Sequence, residues 1–114
     1  MAIRILHNPR CSKSRQALAL LQAQGIEPEV VEYLKTPPDV VELDRILKAL
    51  DMEPEALMRK GEDVYKELVK GKRRSRAQLI DLMVRHPILI ERPIVINGDK
   101  AALGRPPEAV LAIL

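Results

Sequence analysis

The chain has 114 residues, enough for one domain with one modest core. Hydrophobic residues make up 46%, as in a soluble globular domain, but two Tyr and no Phe or Trp leave the core to Leu, Ile, Val, Ala and Met. A single cysteine excludes an internal disulfide and any multi-thiolate zinc site. The net charge of +3 fits an anionic partner without arguing for nucleic acid.

A free thiol suits a reducing compartment, so a cytoplasmic location is expected. No apolar stretch follows a basic N-terminal segment, so no signal peptide is expected. No apolar run approaches the ~18 residues that span a bilayer, so no membrane partner is expected either. No repeat or low-complexity tract interrupts the sequence.

Residues 2–6 read as a first strand. A helix from Ser12 to Gln24 follows, with Ala17, Leu18, Ala19 and Leu21 on its apolar side and Gly25 closing it. Residues 29–33 form a second strand, which completes a βαβ unit with a right-handed crossover. Val40, Leu43, Ile46, Leu47 and Leu50 recur at helical spacing and predict a helix over 39–50. Pro54 opens another short helix, and residues 64–69 form a further short helical piece. Residues 70–76 are a basic loop, and Ser75 caps a helix carrying Leu79, Ile80, Leu82 and Met83. His86-Pro87 ends that helix.

Residues 93–97 read as a third strand. The turn signal at Asn97-Gly98-Asp99 predicts an antiparallel fourth strand over 100–103. A last helix is expected over 108–113, with Val110, Leu111 and Leu114 as its apolar side. The order βαβ, helical insert, ββα predicts an α/β domain with a mixed four-stranded sheet and helices on both faces, the thioredoxin-like arrangement. All of 1–114 is expected to be one domain, with 36–86 as an insert within it. In such an architecture the first helix carries a reactive cysteine, and a cis-proline before the third strand packs beside it. Pro93 stands in that place.

Cys11 lies in the polar run His7-Asn8-Pro9-Arg10-Cys11-Ser12-Lys13-Ser14-Arg15, at a strand-to-helix junction. Free cysteines are more often small core residues. This polar setting, at the positive end of a helix, argues for a reactive thiolate that meets an anion. Ser14 stands where a disulfide oxidoreductase holds its second cysteine. Its hydroxyl can donate to a thiolate but cannot resolve a mixed disulfide. It is as readily an ordinary first-turn residue. A phosphatase-type loop needs Arg six positions after Cys, and Ala17 is there instead. Arginines from elsewhere must therefore hold any oxyanion. Arg92 precedes Pro93 and Arg105 precedes Pro106, so two Arg-Pro steps bracket the predicted hairpin. Guanidinium groups bind tetrahedral oxyanions bidentately. Arg59 follows a short apolar helix, and its spacing alone does not distinguish it from a solvated arginine.

Taken together, His7-Asn8-Pro9-x-Cys11-x-x-Ser14-Arg15, Tyr33-Leu34-Lys35-Thr36-Pro37-Pro38, Leu57-Met58-Arg59-Lys60, residues 86–95 and Gly104-Arg105-Pro106 resemble the glutaredoxin-coupled arsenate reductase (ArsC) family over nearly the whole chain. The resemblance implies that Cys11 is the nucleophile and that Arg59, Arg92 and Arg105 bind the oxyanion. It implies that His7, Ser14, Arg15 and Pro93 support the site, and that the Arg92–Pro93 bond is cis. Glutathione as co-substrate and glutaredoxin as partner would supply the electrons; no bound cofactor or metal is implied. Position 104 is Gly where the well-studied subgroup has Cys, and the loop around Cys11 looks more like an uncharacterised branch of the family.

Two other functions compete. Spx-type transcriptional regulators share the fold and the cysteine position but typically carry Cys-x-x-Cys, where this chain has Ser14. A glutathione-dependent thiol transferase would act without an oxyanion and would not need Arg59. The basic run 70–76 reads first as a solvated loop and second as a docking site for an acidic partner. The absence of nearby aromatics argues against nucleic acid.

Overall fold

A computed structural model describes residues 2–114. The chain divides into two compact units. Among the described residues, one comprises 2–36 and 92–114; the other comprises 37–91.

The first unit holds the sheet. Strands β1 (Ile3–His7), β2 (Glu29–Glu32), β3 (Ile94–Asn97) and β4 (Lys100–Leu103) lie in the order β2-β1-β3-β4. β1 pairs with β2 in parallel and with β3 antiparallel, and β3 pairs antiparallel with β4. This mixed four-stranded sheet is the thioredoxin-like arrangement. Helix α1 (Ser12–Ala23) makes the parallel crossover. Gly25 takes φ +77 just beyond it, a left-handed conformation open to glycine. Gly98 takes φ +64 in the tight turn between β3 and β4.

The strand period of two sorts the core. Ile5 and Val95 face one another across the β1–β3 ladder and pack with Ala17 and Leu21 of α1 and with Val110. Ile3, Leu18, Ile26 and Ile113 rim that cluster. Leu6, Ile94 and Ile96, also buried, project from the other face of the sheet. The inward stripe of α1 is Ser14, Ala17 and Leu21; Ala19, expected on it, is exposed.

The last helix differs from expectation. Residues Pro107–Ile113 form a 3-10 helix. Three residues per turn align Pro107, Val110 and Ile113 on the inward side, and this turn packs on α1 and β4. Leu111 and Leu114, expected inward, are exposed because they fall off that line.

The second unit is helical. It contains α2 (Val40–Leu50), α3 (Asp63–Leu68) and α4 (Arg76–Arg85), with 3-10 turns at Pro54–Leu57 and Pro87–Leu89. Asp39 caps α2 by accepting the Glu42 N–H at 2.8 Å. Ser75 and Gln78 form a reciprocal capping box at the start of α4. The turn at Pro54 is 3-10 rather than α, and its i, i+3 pair Pro54 and Leu57 is buried. Among the described residues, no helix is long and apolar enough to cross a membrane.

Candidate active site

The loop from β1 to α1 is built by its own short side chains. The Asn8 carbonyl accepts the Cys11 N–H at 3.0 Å, and Asn8 Oδ1 accepts the Arg10 N–H at 3.0 Å. Arg15 reaches back from α1 and donates through Nη1 to the Pro9 carbonyl at 2.9 Å. Ser14, fully buried, holds the loop from below. Its Oγ lies 2.6 Å from His7 Nδ1 and accepts the Asn8 N–H at 3.0 Å. The Ser14 hydroxyl therefore serves His7 and the loop backbone rather than the thiol. His7 is held below the usual imidazole range. Burial is the largest cause, the facing Glu32 carboxylate opposes it, and the Arg15 charge adds to it.

Cys11 is the N-cap residue of α1, with extended backbone angles. The residue is nearly buried, with 8% of its surface exposed. Burial alone would push its thiol up. The backbone N–H of Ser14, the Arg92 charge, the Lys13 N–H and a hydrogen bond from Arg92 outweigh burial and hold the thiol below its ordinary value. The thiolate is thus stabilised from two sides, by the helix start and by guanidinium.

The β3–β4 ladder places both arginines. Its register pairs Ile94 with Leu103, so continuing it by one step sets Pro93 against Gly104, and by two sets Arg92 against Arg105. The Gly104 N–H donates to the Pro93 carbonyl at 2.9 Å. Arg105 Nε donates to the Arg92 carbonyl at 2.9 Å, and its Nη2 lies 3.8 Å from Cys11 Sγ. The Arg92–Pro93 bond is cis, as the family resemblance implied, and so is Arg105–Pro106. Cys11, Arg92, Arg105, His7, Ser14, Arg15 and Pro93 all belong to the first unit.

Arg59 belongs to the second unit. Met58 forms an isolated antiparallel bridge with Ile90, the Arg59 N–H donates to the Leu89 carbonyl at 2.8 Å, and the Glu91 N–H donates to the Leu57 carbonyl at 2.8 Å. Arg59 Nη2 pairs with Glu62 at 3.1 Å, and its Nε approaches Glu91 at 3.9 Å. These two carboxylates orient the guanidinium, a feature that spacing did not reveal.

The basic run divides by role. Arg74 Nε donates to the Leu68 carbonyl at 2.6 Å. Arg76 binds Asp44 through Nε and Nη2 at 3.2 and 2.9 Å. Lys70, Lys72 and Arg73 are exposed. Among the described residues, no group of three or more His, Cys, Asp or Glu stands where it could hold a metal ion.

Sequence reasoning missed the part played by Asn8. An Asn-Pro pair between a strand and a helix is a turn signal, and the turn it makes seats the Cys11 backbone. It also missed the close approach of Gly104 to Pro93, for which an isolated glycine beside a strand end is the available signal.

With this geometry in view, the ArsC family model matches residues 6–113. An Escherichia coli strain K12 protein described as uncharacterized protein YfgD is 53% identical over 114 residues, covering 98% of this chain and 96% of its own length. An arsenate reductase of Neisseria meningitidis is 48% identical, covering 98% of this chain and 97% of its own. The solved structure of an arsenate reductase from Vibrio cholerae superposes with a TM-score of 0.95 at 52% identity, covering 100% of this chain and 98% of that one.

Proposed function

The chain belongs to the ArsC family, and from that premise we propose that it is an arsenate reductase with Cys11 as nucleophile and Arg92, Arg105 and Arg59 as oxyanion ligands. The observation that carries this reading is the pairing of one depressed thiol with two guanidinium groups, one of them 3.8 Å from the sulfur. A thiolate held against arginines is an attacking group beside an anion trap.

The reaction follows from that arrangement. The Cys11 thiolate attacks arsenic(V), forms a sulfur–arsenic bond and displaces hydroxide, which leaves as water after protonation. The arginines offset the negative charge on the arsenate oxygens as the bond forms. Glutathione displaces a second oxygen from arsenic. Glutaredoxin then attacks the glutathionyl sulfur, and the electron pair of the broken sulfur–arsenic bond reduces arsenic to the trivalent state. The two electrons come from the two external thiols, which end as a glutathione–glutaredoxin disulfide. Hydrolysis releases arsenite and returns Cys11. One protein thiol suffices in this sequence, in keeping with a single cysteine.

Oxidation of NADPH through glutathione reductase, glutathione and glutaredoxin, with and without arsenate, tests the reading. Oxidation that depends on both arsenate and Cys11 supports it. Equal rates with and without arsenate would move the substrate to a glutathione mixed disulfide.

A further inference from the structure

We propose that Glu62 is an internal competitor for the oxyanion: its carboxylate occupies the anion-binding fork of Arg59, and an incoming oxyanion must displace it to use that arginine. The inference rests on the reading of Arg59 as an oxyanion ligand.

A guanidinium grips an anion best with two parallel bonds, and Nε and Nη2 form one such fork. On Arg59 that fork already faces carboxylates. Nη2 lies 3.1 Å from Glu62 Oε2, and Nε lies 3.9 Å from Glu91 Oε1. The contact is sheltered. Arg59 and Glu62 keep 25% of their side-chain surface exposed, and Glu91 keeps 24%. Water and salt therefore screen it less than a pair on the open surface.

The two carboxylates are held differently. Glu91 sits on a segment tied down beside Arg59. Its N–H donates to the Leu57 carbonyl at 2.8 Å, and the Arg59 N–H donates to the Leu89 carbonyl at 2.8 Å. Its carboxylate stays at 3.9 Å, beyond hydrogen-bond reach. Glu62 makes the close contact. It is the N-cap residue of α3, yet its side chain accepts no N–H from the first turn. The turn from Arg59 to Glu62 is closed by the backbone, with the Glu62 N–H on the Arg59 carbonyl at 3.3 Å. The carboxylate can therefore leave Nη2 without undoing that turn. An oxyanion gains the fork only in molecules where Glu62 has let go, and that fraction scales the apparent affinity.

Calorimetric titration of the full chain with inorganic arsenate at low ionic strength tests this. Glu62→Gln keeps the size of the side chain and removes its charge, and the arsenate dissociation constant falls by about fivefold. Glu62→Asp keeps the charge but shortens the arm by one methylene, which opens the contact, so the constant falls here too. Glu67→Gln alters an exposed carboxylate on the same helix, makes the same change in net charge and leaves the constant at the parent value. A constant that is unchanged or raised in Glu62→Gln overturns the proposal, since a carboxylate that only orients Arg59 gives that result. A parent value in Glu62→Asp, or an equal fall in Glu67→Gln, also overturns it, because the effect is then one of overall charge. Arg59→Gln separates the inference from the reading beneath it. If that variant binds arsenate as the parent does, Arg59 is no ligand, and both fall. If it binds more weakly while Glu62→Gln matches the parent, Arg59 stands as a ligand and only the competition falls.

Discussion

Arg105 Nη2 stands 3.8 Å from Cys11 Sγ across a sequence separation of 94 residues. The contact is made by the antiparallel path of β1, β3 and β4, which brings the far hairpin end beside the start of α1. Arg105 Nε is held by the Arg92 carbonyl, so the contact is directed and not a chance of a flexible side chain.

Arg105→Lys keeps the charge but loses the fork that spans the Arg92 carbonyl and the sulfur. The kcat/KM for arsenate is expected to fall by about ten- to a hundredfold, the range for hydrogen bonds to charged groups. The side chain is exposed, so the melting temperature should barely move. Steady-state kinetics and a thermal melt on one preparation check both. A large loss of stability with unchanged kcat/KM would show that Arg105 is structural.

Ser14→Ala leaves the buried His7 ring and the Asn8 N–H without their shared oxygen. The expected cost is about 1–3 kcal/mol, read as a lower urea midpoint at unchanged slope. Its backbone N–H is untouched, so the Cys11 titration should keep most of its depression. A variant as stable as the parent would mean that the 2.6 Å contact contributes nothing net.

The thiol also links stability to pH. Its value is lowered on folding, so between the folded value and the ordinary thiol range the unfolded chain holds a proton that the folded chain has released. Stability from this group therefore rises with pH through that window. It is fully present above the ordinary thiol range and is lost as pH falls through the folded value. Denaturant midpoints of parent and Cys11→Ser across this range should diverge in favour of the parent as pH rises. Parallel curves would mean an unshifted thiol.

Much of this was legible before the structure. The short apolar runs in Ile3–His7 and Ile94–Asn97, the Asn97-Gly98 turn and the helical period of 40–50 each carry a local signal, and the sheet follows from them. The two Arg-Pro steps could be placed together because a tight hairpin forces the residues at its open end to face each other. The last turn was not legible. Val110, Leu111 and Leu114 fit an α-helical stripe, and only packing on α1 and β4 selects the 3-10 period that buries Pro107 and Val110 and turns Ile113 to the rim of the core. The Ser14 hydroxyl was misdirected for a similar reason: its partner His7 is seven residues back, a contact set by the turn at Asn8. The Glu91 carboxylate beside Arg59 depends on the bridge between Met58 and Ile90, which spacing does not encode.

Ser75→Ala removes one half of the capping box of α4. It is expected to cost about 1 kcal/mol, as N-cap losses do, and to leave arsenate turnover at the parent rate. Chemical denaturation and the coupled assay together check this. A loss of turnover without a loss of stability would assign the start of α4 a role in catalysis.

The central claim is that the Cys11 thiolate attacks an oxyanion held by arginines. The most direct measurement is arsenate-dependent NADPH oxidation through glutathione and glutaredoxin, made on the parent protein and on Cys11→Ser in parallel with arsenate binding by calorimetry. The account predicts turnover by the parent, none by Cys11→Ser, and arsenate binding retained in both because the arginines remain. Arsenate reduction that survives in Cys11→Ser would contradict it.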